Sequence, residues 1–232
     1  MKETTPMKSS LFRYLTRLTV LLFLISEPRW ITANTYQLDD GTGEIGFGNV
    51  NGGDLIALNE FTVTPGNDLI SSISIAWGNT GYSGINGLSY KAVLWEDTSG
   101  VGNPSGAQLL GTIPNNTVSG SGTNTFLTST FASPILVPTQ HFFVGFILTN
   151  PIFQNPAAVD NSSPFMNRSY FAFNNAGMGD ISNLTNNPGG VRTETFGNFL
   201  IRADAVPEPS TWAMIVLGAV ILTGFARRRR MA

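Results

Sequence analysis

An all-β fold, a jelly-roll-like β-sandwich set between two short apolar ends, is what this sequence predicts, on three observations. Charge is sparse: Asp, Glu, Lys and Arg make up 12% of 232 residues, against an ordinary quarter, and glycine reaches 25 residues. Runs rich in β-branched and aromatic residues recur, separated by Gly, Asn, Pro and Ser. Between the two ends no run has a helical period.

The N-terminal end, residues 1–33, reads as a signal peptide. Lys2, Lys8, Arg13 and Arg17 lead into the apolar run Leu18–Ile25. At ~1.5 Å per residue that run spans ~12 Å, far short of the ~30 Å hydrocarbon core, so it fits the apolar region of a secretion signal and not a membrane span. Ala33, in Ile31-Thr32-Ala33, is the small residue after which cleavage is expected.

Residues 34–205 form the body, long enough for one core. Strands are expected at 44–50, 55–63, 69–77, 88–95, 107–113, 125–131, 141–149, 169–173 and 198–204. In the third, Ile73, Ile75 and Trp77 alternate with Ser72, Ser74 and Ala76, the period of a strand with one apolar face. The run from His141 to Leu148 is apolar on both sides, as in a central strand covered above and below. The tracts Gly111–Thr125 and Asn150–Pro164 read as long loops. Two packed antiparallel sheets accommodate this many short strands, with an up-and-down barrel as the rival.

Residues 206–232 begin with Val206-Pro207-Glu208-Pro209-Ser210. Two prolines with fixed φ keep that stretch extended and accessible. A transmembrane helix is expected over residues 211–226, with Trp212 at the headgroup level. Its ~24 Å falls slightly short of a bilayer. Arg227, Arg228, Arg229 and Arg230 then act as a membrane stop on the cytoplasmic side, leaving the body beyond the inner membrane. This order of parts resembles the PEP-CTERM sorting domain of proteins handled by exosortases in Gram-negative bacteria that make exopolysaccharide. The resemblance covers Pro207–Ala232. It implies that Pro207, Glu208 and Pro209 are the recognition element, that an exosortase-type sorting enzyme is a partner, and that the tail is processed as the protein passes to the cell surface or beyond. A simple permanent anchor holding a periplasmic body is the alternative.

The body carries twelve acidic side chains against Lys91, Arg168, Arg192 and Arg202. Such a surface repels phosphate backbones, so no nucleic-acid partner is expected. With no cysteine and His141 the one histidine, thiol chemistry and Cys-ligated metal sites are excluded, and a His-based metal site lacks a second imidazole. Glu96, Asp97, Ser99 and Asn103 offer hard oxygens within one Gly-rich loop, the pattern of a calcium site, but Val101 stands where a strong loop has a further carboxylate. The competing reading is a solvated turn. Tyr82, in Gly81-Tyr82-Ser83-Gly84, is the aromatic expected to be free to stack on a sugar, whereas strand periodicity places Trp77, Tyr90 and Trp95 in the core. Asp160, Asp180 and Glu194 are available for a glycosidase pair, yet no spacing brings two of them together. A non-enzymatic envelope or matrix protein of structural, adhesive or exopolysaccharide-binding role is the expectation. A secreted polysaccharide-active hydrolase is the alternative.

Overall fold

The computed structural model describes residues 34–79, 84–162, 164–174, 181–186, 190–207 and 218. Among them the strands are β1 (Asn34–Tyr36), β2 (Ile45–Phe47), β3 (Gly53–Thr62), β4 (Leu69–Ile75), β5 (Ser89–Asp97), β6 (Ala107–Thr117), β7 (Leu127–Leu136), β8 (His141–Asn150), β9 (Ala157–Asp160), β10 (Ser169–Asn174), β11 (Arg192–Thr193), β12 (Asn198–Phe199) and β13 (Ile201–Val206). Single 3-10 turns lie at Pro104–Gly106 and Leu184–Asn186.

A six-stranded sheet in the order β11-β10-β3-β8-β5-β6 faces a four-stranded sheet in the order β1-β13-β4-β7, and a small third sheet, β12-β9-β2, lies beside them. Every pairing is antiparallel. The chain passes from β3 in the first large sheet to β4 in the second and back to β5, then repeats the exchange from β6 through β7 to β8. This is the sandwich the strand pattern predicts, with the wrapping connectivity of a jelly roll.

Alternation along the strands builds the core. In β8, Phe142, Val144, Phe146 and Leu148 enter the main core between the sheets, while Phe143 enters a second cluster on the outer face with Ile56, Leu58, Val93, Trp95 and Leu184. The run apolar on both sides is thus the central strand between β3 and β5. Ile73, Ile75 and Trp77 are fully buried, whereas Ser72 and Ser74 bond to Asp204 and Thr128 on the opposite face. Aromatic rings fill the widest gaps, with Tyr36 edge-on to Phe142 and Trp77 against Tyr90 and Phe146. Asn59, polar on the core face of β3, is fully paired: its Nδ2 donates to the Phe199 and Ile201 carbonyls at 2.8 and 2.9 Å, and its Oδ1 accepts from Ser169.

The boundaries differ from the sequence reading at several points: β1 and β11 fall in no expected strand, and β7 runs on to Leu136. The tract Gly111–Thr125 is not all loop, since β6 continues to Thr117 through a register shift against β5 that admits the turn residues Pro114 and Asn115. The tract Asn150–Pro164 contains β9, four buried residues held between β2 and β12. The body itself runs one residue past Ala205, because Val206 still pairs with Leu69.

Candidate functional site

β13 carries the chain to the tail. Val206 pairs with Leu69 and Ala205 with Asn34 of β1, so both ends of the body emerge side by side. That pole also holds the far end of β3, because the Tyr36 hydroxyl donates to the Asn67 carbonyl at 2.8 Å and accepts from the Thr64 amide at 2.9 Å. Pro207 is half-buried at the body's edge. Glu208, Pro209, the 211–226 segment apart from Gly218, Arg227 to Arg230, Ala33 and Tyr82 lie outside the described residues. No helix among the described residues is long and apolar enough to cross a membrane.

The loop proposed for calcium is organised around Asp97. Glu96 and Asp97 are successive strand residues and so project to opposite faces of β5. The buried Asp97 carboxylate accepts from the Ser99 amide at 2.8 Å, the Ser99 hydroxyl and the Gly102 amide at 2.6 Å. Asn103 accepts from the Ser105 amide at 2.9 Å and caps the 3-10 turn. The structure thus joins Asp97 to Ser99, points Glu96 elsewhere and gives Asn103 to the following turn, each in a role that Asx-turn chemistry explains.

Asp97 also sets a pH dependence. Burial opposes its charge, but the bonds from Ser99, Gly102 and Val101 outweigh burial and hold the carboxyl below its usual value. A folded value below the unfolded one (~3.9) means stability that is complete above that value and is lost as pH falls through the folded one. Asp97→Asn is therefore expected to cost about 1–3 kcal/mol near neutral pH and progressively less in acid. Urea unfolding at several pH values checks this; a penalty independent of pH refutes it.

Two groups of ionisable side chains escape sequence reasoning. Asp40, Glu44 and Asp160 bring carboxylate oxygens within 4.8 Å of one another. Asp160 accepts from the Asp40 and Ser162 amides at 2.9 and 2.8 Å, and Glu44 from the Asn161 amide at 2.8 Å. Hydrogen bonds from the Thr42 side chain and amide hold Asp40 below the usual carboxylate range. These oxygens join the β1–β2 loop, which carries Asp40 and Glu44, to Asp160 at the end of β9, far apart in linear order. Elsewhere His141 Nδ1 lies 2.8 Å from Glu60, which also binds Arg168 through two guanidinium nitrogens. The histidine that opens β8 is thus partnered by a carboxylate. Glu194 is buried and accepts from the Phe196 amide at 2.7 Å. Asp180 is outside the described residues.

A cleft of about 220 Å³ opens on the outer face of the six-stranded sheet, at the end away from the tail. Ile147 lines it, with Asp54, Lys91, Asn115 and Thr149 around it. Thr149 donates to Asp54 at 2.7 Å. Asn115 sits at φ 61°, a left-handed conformation that asparagine tolerates better than most residues. One cation, one carboxylate, an amide and the hydroxyls of Ser89 and Thr149 line the cleft beside Ile147, a combination suited to a small polar ligand. Trp77, Tyr90 and Trp95 are buried, as strand periodicity required.

The PEP-CTERM protein-sorting motif matches residues 205–230. The cysteine protease and lectin-like domains of Cwp84, a surface layer associated protein of Clostridium difficile, are similar in structure at a TM-score of 0.48 and 13% identity, over 76% of this chain and 36% of that one. A comparison with curated proteins finds no match. The motif begins on the last two residues of β13 and takes in the Pro207-Glu208-Pro209 triplet and the arginine cluster. The chain is therefore a protein that carries the PEP-CTERM sorting motif, joined directly to an antiparallel β-sandwich.

Proposed function

We propose that this protein is exported, held by its C-terminal segment in the inner membrane, processed there by an exosortase, and delivered to the cell surface or extracellular matrix, where the sandwich serves a non-catalytic, adhesive role by binding exopolysaccharide. The observation that carries the reading is the motif at residues 205–230. An exosortase is the partner the motif implies. The polysaccharide role is supported by the cleft, whose mixed polar groups beside Ile147 suit a sugar unit.

The test combines sorting and binding. Changing Pro207, Glu208 and Pro209 to alanine is expected to leave the chain in the inner-membrane fraction with Trp212 to Arg230 attached, while the wild type loses that tail. Mass spectrometry of fractionated cells reads both. Wild-type tails that stay intact at the surface refute processing. Failure of the wild type to bind the cells' own exopolysaccharide refutes the adhesive role.

A further inference from the structure

Two loops meet at the pole opposite the tail. The β2–β3 loop, residues 48–52, and the β8–β9 loop, residues 151–156, are joined by the Phe153 amide donating to the Val50 carbonyl at 3.1 Å. Gly52, at φ 72°, lies close against the Ile152 side chain. Val50, Ile152 and Phe153 stand 56%, 61% and 77% exposed on this tip. Residues 48–53 and 150–156 include no charged side chain; Asn51 and Asn155 are exposed and Gln154 half-buried on the same two loops, while Asn49 is buried and bonds the Gly52 carbonyl. Phe153 has φ 59°, a left-handed conformation that costs a bulky residue of order 1 kcal/mol or more and suits glycine. The fold thus holds a phenyl ring in water at a position where the backbone disfavours it. That strain gives no packing in return.

We propose that this tip is the contact surface for an uncharged polysaccharide, with Phe153 and Ile152 covering the C–H face of a pyranose ring and the neighbouring amides bonding its hydroxyls. The proposal rests on the exopolysaccharide reading above and names the class of chain and the part of the surface that engages it. Three observations choose this occupant. The tip is neutral on a body with twelve acidic side chains against four basic ones, so anionic chains are repelled and neutral ones are not. No lysine or arginine is present on either loop to attract anionic lipid headgroups. The tip follows directly from Asp54 and Thr149 at the cleft, while Val206 leaves the body at the other pole, so a tethered domain presents this end away from its membrane.

The variants are Phe153→Gly, which suits the backbone and leaves the fold intact, Ile152→Asn, and Phe153→Trp as the conservative change. The full-length chain in detergent is titrated with exopolysaccharide from the producing cells, split by anion exchange into uncharged and acidic fractions. Wild type and Phe153→Trp are expected to bind the uncharged fraction, and the Phe153→Gly, Ile152→Asn double variant to bind it at least tenfold more weakly at an unchanged melting temperature. Unchanged binding by the double variant overturns the proposal while leaving the polysaccharide reading in place, with loss of binding in Lys91→Ala then pointing to the cleft alone. Wild-type binding to the acidic fraction only also overturns it. Binding to neither fraction removes both readings. A dimer that the double variant dissociates, or phosphatidylcholine vesicles that blue-shift the emission of Trp introduced at 153, assigns the tip to a second copy or a bilayer and overturns the proposal.

Discussion

Replacing Trp95 by alanine is expected to lower the stability of the body by about 3–5 kcal/mol, the cost of deleting a large buried aromatic whose surroundings relax only in part. Trp95 is fully buried on the outer face of the six-stranded sheet, among Leu58, Val93, Phe143 and Leu184. Its indole nitrogen donates to the Ile181 carbonyl at 3.0 Å. The ring therefore fastens the 181–186 segment to the sheet as well as filling space. The variant leaves a cavity and an unpaired carbonyl together. Urea unfolding reads the first effect, and protease cleavage near Ile181 the second. Trp95→Phe should recover most of the packing and none of the hydrogen bond. A loss below about 1 kcal/mol in the alanine variant would mean that the outer-face cluster contributes little.

Arg202→Ala should cost about as much, by a different route. The Asp39 carboxylate is buried, and the Arg202 guanidinium reaches both of its oxygens, with Nε at 3.1 and 3.3 Å. The guanidinium carbon also lies 4.0 Å from the centre of the Phe126 ring. Burial raises the Asp39 pKa, and the hydrogen bond and charge of Arg202 only partly bring it back down. Without the arginine, a buried charge has no counter-ion, a loss of about 3–5 kcal/mol near neutral pH. The sign with pH is fixed. A carboxyl whose folded pKa is raised favours the folded state most in acid, and that benefit is lost as pH rises through the raised value. The gap between wild type and Arg202→Ala should accordingly narrow as pH falls, and Asp39→Asn combined with Arg202→Met should recover much of the loss. A gap that stays constant with pH would show that packing against Phe126, and not charge, is what Arg202 supplies.

What could be read along the chain was local. Alternation in Ile73, Ile75 and Trp77, the doubly apolar run at β8 and the triplet Pro207-Glu208-Pro209 each declare themselves within a few residues, because strand faces and linear motifs are short-range properties. The features that escaped are held from a distance. β9 is only four residues long, and its extended form comes from β2 and β12 on either side. Asp39 and Arg202 are 163 positions apart, and Glu60 and His141 are 81 apart. Nothing in the local composition links such partners. The loop around Asp97 reads two ways for another reason: the residues that ligate cations are the same ones that close tight turns. The apolar tip gave no sequence signal of its own, since Val50 and Phe153 come together only when the β2–β3 and β8–β9 loops meet.

The placement of β13 has a mechanical consequence. It lies between β1 and β4, and its final residue is the one from which the tail departs. A load pulling on the far tip while the tail is held runs along the strand axis, parallel to the ladder. Hydrogen bonds on both flanks of β13 must then slide together instead of opening one after another, so a pull in that direction meets the resistance of both ladders at once.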